Sequence, residues 1–230
     1  MNDAKIVKLN IGASQTYIPG FINVDISKNA DIVLDLNVQR LPFDDNSVDT
    51  IFSYHTLEHI QNYIFALNEI YRVLKHGGIF LVGLPYATLT EYHLVNPFHL
   101  HNFNEYSFDF FDIDKLKGSA SEENTILFKK VFHRLHYIGI FHLMLPPLRS
   151  FCRRHLFNVV RKIDFGLIAI KFPGQVIPDD IVKKYNLRCE HMKYIKARRK
   201  YGNSDLTAQQ PSFIKKHLRA IYDWWRGYND

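Results

Sequence analysis

The chain has 230 residues, 47% of them hydrophobic, which is enough to bury one sizeable core and excludes disorder throughout. Its formal net charge of +6 hides a division: residues 1–125 carry net −8 and residues 126–230 carry net +14. Two cysteines, Cys152 and Cys189, are too few and too widely spaced for a disulfide framework or a zinc site.

The first 85 residues alternate short β-branched or aliphatic runs with turn signals. Strands are expected at 6–11, 21–26, 32–36, 48–54 and 79–84, and their nearly continuous apolar character suits a parallel sheet covered on both faces. Between the fourth and fifth, Leu57, Ile60, Ile64, Leu67, Ile70, Tyr71 and Leu74 recur at helical spacing, and Gly77-Gly78 is expected to end that helix. Only nine residues, 12–20, join the first two strands, too few for a packed crossover helix.

Residues 86–112 are rich in aromatic side chains and read as a structured loop over a site. A strand is expected at 126–137, a helical stretch with a Pro146-Pro147 break at 139–162, and a closing antiparallel strand at 165–172. Two basic helical patterns follow, at 179–200 and 211–228. The expected division is a domain at 1–173, with 137–162 as a helical insertion or lid, and a basic helical extension at 174–230.

In an open parallel sheet, ligands bind beyond the carboxyl ends of the strands. The first strand is followed by Gly12, Ala13 and Ser14, small residues that let backbone amides approach a ligand. The second ends at Asp25, where a carboxylate can accept both hydroxyls of a ribose. The third leads to Asp35-Leu36-Asn37, and the fourth to His55, Glu58 and His59.

The stretches KLNIGASQTYIPGFINVDI, DLNVQRLPFDDNSVDTIFSYHTLEHI and NEIYRVLKHGGIFLVGLP resemble class I S-adenosylmethionine-dependent methyltransferases, over residues 6–103. The likeness is to a subset with a short first loop, found near glycan biosynthesis. It implies an α/β, Rossmann-like sheet, mostly parallel with an antiparallel closing strand, S-adenosylmethionine as cofactor, and methyl transfer as the activity. Carried over, Gly12, Ala13 and Ser14 would line the methionine end of the cofactor, Asp25 would hold the ribose, and Asp35 and Leu36 would meet the adenine. Asn10, Ile26 and Asn37 complete the expected cofactor set, and His55 would lie near the sulfonium methyl. Only Gly12 remains where the family carries two or three glycines.

A hydroxyl acceptor benefits from a general base near neutral pKa, for which His55 and His99 are the first candidates, ahead of His59 and His101. The acceptor expected from the resemblance is a glycan or other small molecule. His55-Thr-Leu-Glu58-His59 also matches the HxxEH pattern of inverted zinc peptidases, but it straddles a strand end and a helix start, and no metal site is expected.

Apolar residues 138–148 followed by Arg149, Arg153 and Arg154 read either as a lid or as an interfacial helix on anionic lipid. The basic carboxyl-terminal half leaves nucleic-acid binding open beside solvated helix faces, and with it a non-catalytic or RNA-modifying role. The opening residues lack the pattern of a secretory signal and no run reaches about 18 apolar residues, so a cytoplasmic location with at most peripheral membrane contact is expected.

Overall fold

The computed structural model describes residues 6–14, 16–115, 125–172, 174 and 183–201. The short first connection joins β1 (Lys8–Ile11) directly to β2 (Ile22–Asp25), which lies parallel beside it with Leu9 opposite Ile22. With β3 (Ile32–Val33), β4 (Val48–Tyr54), β5 (Leu74–Pro85), β6 (Phe128–Tyr137) and β7 (Val160–Ala169), they form one sheet in the order β3-β2-β1-β4-β5-β7-β6. The first five strands are parallel, and β7 runs antiparallel to both β5 and β6. This is the expected mixed α/β, Rossmann-like sheet of the class I type, closed by an antiparallel strand.

Three local expectations change. Helix α1 spans Tyr63–Val73, because Leu57–His59 forms a separate 3-10 turn ended by extended Ile60. The Gly77-Gly78 pair does not cap this helix: β5 starts at Leu74, and the pairing jumps from Val48–Leu74 to Thr50–Ile79. The four residues between are a bulge, in which Gly77 takes a φ of +77°, accessible to glycine without strain. Finally, Pro146 and Pro147 do not break a helix but begin one, α2 (Pro146–His155), since proline fits the first turn where its missing N–H has no partner to lose. β7 therefore starts at Val160, five residues before the expected strand.

One face of the sheet is covered by α1, which buries Ala66, Leu67, Ile70 and Val73 against Leu9, Ile11, Ile51 and Phe80. At roughly 1.5–3 kcal/mol for each large apolar side chain, this face supplies much of the driving force for folding. The opposite face, left bare by the helix-free first connection, is covered from the other end of the chain. Helix α3 (Lys184–Tyr201) presents Leu187, His191, Tyr194 and Ile195 at three- and four-residue spacing to Phe21, Phe52, Leu81 and Phe132. The Tyr194 ring meets Phe21 edge-on at 4.7 Å. The first helical pattern of the basic half is thus part of the sheet's own core; the second, 211–228, lies outside the described residues.

The β6–β7 connection leaves from the carboxyl edge of the parallel strands, because Lys162 near the start of β7 pairs with Pro85 at the end of β5. The connection holds α2, whose segment leaves Ile140, Leu143, Leu145, Leu148, Phe151 and Phe157 exposed, Leu143 at 88% and Leu145 at 76%.

Candidate functional site

The strand order reverses between β1 and β4, and the carboxyl ends of β1 to β4 surround a cavity of about 440 Å³ there. Eight of the ten residues of the expected cofactor set line it, beside His59: Gly12, Ser14, Asp25, Ile26, Asp35, Leu36, Asn37 and His55. Two others do not. Asn10 is fully buried within the sheet, where its Nδ2 donates to Asn23 Oδ1 at 2.9 Å, because alternation along β1 turns it toward the α3 face. Ala13 is likewise buried, its amide donating to the Val24 carbonyl.

The first loop is shaped by Gly12 and Asp25. Gly12 has a φ of +72°, and a Cβ at this position would overlap the Thr56 side chain. Ser14, in a place where the resembled family carries glycine, also takes a positive φ of +50°, and its N–H donates to Asp25 Oδ2 at 2.9 Å. The other Asp25 oxygen accepts the Ser27 N–H at 2.8 Å, so the carboxylate ties both loops of the cavity. On the third strand's exit, Asp35 Oδ1 accepts both the backbone and side-chain N–H of Asn37 at 2.9 Å. Ile26 is 69% exposed, an apolar side chain on the cavity wall.

His55 is the second residue of the cavity wall, after Ser14, to be strained, with a φ of +55° just past the end of β4, a conformation of the kind that costs about 1–3 kcal/mol and gathers at functional sites. Its N–H is held by the Gly83 carbonyl at 2.8 Å, and its Nδ1 lies 3.2 Å from Glu58 Oε1. Glu58 is fully buried, and its second oxygen has no hydrogen-bond partner. A carboxylate at Nδ1 sets the proton on that nitrogen and leaves Nε2 as the basic atom.

His99 stands outside the cavity, packed on His59 with ring centroids 4.6 Å apart. The loop carrying it is pinned to the Leu57–His59 turn, where the Leu100 N–H donates to the Glu58 carbonyl at 2.7 Å. Burial lowers the pKa of His93 and of His99, and the neighbouring His59 lowers that of His99 further.

The residue that sequence reasoning missed is Arg198, which reaches the same cavity from α3. Its guanidinium carbon lies 5.2 Å from the centre of the Tyr54 ring, and its Nε is buried without a hydrogen-bond partner. Burial lowers its pKa, opposed by the attraction of Tyr54, Asp25 and Glu58. The available signal was the spacing Leu187, His191, Tyr194, Arg198, which puts this one arginine of the Arg198-Arg199-Lys200 run on the sheet-facing side. A separate basic cavity of about 650 Å³, lined by Arg134, Arg188, Lys193 and Lys196, lies against α3 and away from the strand ends.

Residues 17–82 match the family described as a methyltransferase domain. A sterol 4-C-methyltransferase of Caenorhabditis elegans is 35% identical over 81 residues, covering 34% of this chain and 24% of that protein. A "Probable S-adenosylmethionine-dependent methyltransferase" of Mycolicibacterium smegmatis is 35% identical over 110 residues, 46% of this chain and 37% of that protein. The chain thus spans about a quarter to two fifths of the length of these relatives. Among solved structures, an S-adenosylmethionine-dependent methyltransferase from Archaeoglobus fulgidus is similar with a TM-score of 0.47 at 12% identity, over 72% of this chain and 87% of that one.

Proposed function

We propose that this chain, which matches a methyltransferase domain over residues 17–82, is a class I S-adenosylmethionine-dependent enzyme that binds S-adenosylmethionine in the 440 Å³ cavity and methylates an acceptor hydroxyl. The observation carrying this reading is the convergence of Ser14, Asp25, Asp35 and His55, from four successive strand ends, on one cavity at the reversal of strand order. Its volume lies in the range of small-molecule sites, and it offers an unpartnered Arg198 Nε in addition to its carboxylates.

In this reading Asp25 accepts the ribose hydroxyls, Asp35 takes the adenine amino group beside the Leu36 backbone, and Ile26 packs on the ring with Asn37 holding Asp35 in place. Gly12 and Ser14 present the methionine end, while Asn10 and Ala13 act at one remove by fixing the strand and loop. Arg198 pairs with the methionine carboxylate. Bound there, the cofactor supplies a methyl already activated by its sulfonium. The chain's part is alignment, which can account for about 7–11 kcal/mol of barrier reduction, together with removal of the hydroxyl proton. His55 accepts that proton at Nε2, and buried Glu58 stabilises the resulting imidazolium through Nδ1. His99, outside the cavity, takes no proton in this scheme.

The glycan-type acceptor rests on the resemblance. A second, amphiphilic class is favoured by the exposed apolar side chains of the α2 segment, which with Arg149 and Arg154 would bring the carboxyl edge of the sheet to an anionic lipid surface. Among the described residues no helix is long and apolar enough to cross a membrane. Calorimetric titration with S-adenosylhomocysteine tests the reading: one site is expected, lost in Asp25→Ala, and no heat at millimolar ligand would overturn it.

A further inference from the structure

The histidines around Glu58 are more ordered than proton transfer requires. A carboxylate oxygen of Glu58 and one ring nitrogen each from His59 and His99 lie within 4.8 Å of one another, a separation that a single bound ion could bridge. The two rings come from different elements, the Leu57–His59 turn and the 86–112 loop, held together by the Leu100 N–H bond to the Glu58 carbonyl.

Their hydrogen bonds fix both tautomers. His59 Nδ1 lies 3.1 Å from the Phe98 carbonyl, and His99 Nδ1 lies 3.1 Å from the His93 carbonyl. A carbonyl only accepts, so each Nδ1 carries the proton and each Nε2 keeps its lone pair. Behind His99, buried His93 donates from Nε2 to Asn102 Oδ1 at 2.8 Å, and its Nδ1, 2.8 Å from His99 Nδ1, shares that N–H with the His93 carbonyl in a bifurcated hydrogen bond. A histidine whose far nitrogen is pinned to a carbonyl, backed by a further layer of hydrogen bonds, is how metal-binding proteins orient imidazole ligands. Meanwhile the second oxygen of Glu58, fully buried, has no partner.

We propose that Glu58, His59 and His99 bind one divalent transition-metal ion at the rim of the cavity. Two imidazoles and one carboxylate suit a borderline ion of the zinc class, and three protein ligands leave a coordination position open. His59 is 40% exposed and also lines the cavity, so that position is reached from solvent and from the cavity alike. The arrangement differs from the HxxEH pattern, because His55 is committed to Glu58 and the second imidazole comes from His99. If the reading of the cavity as a methyl-transfer site holds, the open position would take the acceptor oxygen and make its hydroxyl more acidic beside His55.

The full chain, made without an affinity tag and stripped with a chelator, is titrated with Co²⁺ and then Zn²⁺. One equivalent of Co²⁺ is expected, with the visible absorption of a four- or five-coordinate site, displaced by Zn²⁺. His59→Ala and His99→Ala should each weaken binding by more than about 100-fold, exceeding the usual loss from a supporting residue. His99→Gln serves if the alanine variant does not fold, and His142→Ala, an exposed histidine of the β6–β7 connection outside the cluster, should bind as the parent does. Substoichiometric Co²⁺, or equal binding by His59 and His99 variants and parent, would overturn the proposal. Titrating the parent with S-adenosylhomocysteine separates the two readings: cofactor without metal refutes this site alone, and metal without cofactor refutes the cavity assignment alone.

Discussion

Arg198, on the last described helix, stacks its guanidinium 5.2 Å from the ring centre of Tyr54, the residue that ends the fourth strand. The two lie 144 positions apart, and through them the basic carboxyl-terminal half enters a site whose other residues come from the acidic half. Helix α3 thus both packs on the sheet and contributes Arg198 to the cavity wall.

This relationship sets the first prediction. Arg198→Ala should lower S-adenosylhomocysteine affinity by about 10- to 100-fold, the worth of a hydrogen bond to a charged group, while leaving 5′-methylthioadenosine, which lacks the carboxylate, unchanged. Equal loss for both ligands in calorimetry would mean that Arg198 acts through packing of α3.

Gly12→Ala should destabilise the fold and abolish cofactor binding, since the added Cβ meets Thr56 and the backbone sits at positive φ. The expected cost is about 1–3 kcal/mol in denaturant unfolding. Ser14→Gly, relieving the same kind of strain at an exposed position, should stabilise or leave unfolding unchanged.

The α3 interface should be acid-sensitive. His191 is buried against Phe52, and burial depresses its pKa from 6.5 to about 4. As pH falls below 6.5 the unfolded chain takes up this proton and the folded chain does not, so stability falls until about pH 4. The loss is at most on the order of 3 kcal/mol. Asp164, held well below the usual carboxylate range by His136, His191 and Lys162 against its own burial, acts in the next window: its stabilisation is present above about pH 4 and is lost below it. In thermal melts at successive pH, His191→Gln should flatten the slope between pH 6.5 and 4, while the lower limb persists through His136 and Lys162 but is reduced by the loss of His191 beside Asp164.

Leu143→Asp with Leu145→Asp, both highly exposed, should leave the melting temperature within a degree or two of the parent yet abolish sedimentation with anionic vesicles. Absence of vesicle binding by the parent would dismiss the lipid-surface acceptor and leave the glycan-type one.

The strands and the cavity were legible because their signals are local: apolar runs ending in Gly12, Asp25, Asp35 and His55 place chemistry at strand ends. What escaped depends on distant partners. The Gly77-Gly78 pair carries the mark of a helix cap, and only the offset of β5 against β4 makes it a bulge. Asn10 sits one residue before the carboxyl end of β1, yet the pleat faces it to Asn23. The 187, 191, 194, 198 spacing puts Arg198 on the inner side of α3, but its entry into the cavity, like the pairing of His59 with His99, follows from how α3 and the 86–112 loop dock.

The most direct test of the central claim is a crystal structure with S-adenosylhomocysteine. The expected result is ligand in the 440 Å³ cavity, ribose hydroxyls on the Asp25 carboxylate, and the amino-acid carboxylate within hydrogen-bond reach of Arg198. Ligand bound elsewhere, as in the basic cavity against α3, or a ribose turned away from Asp25, would contradict it.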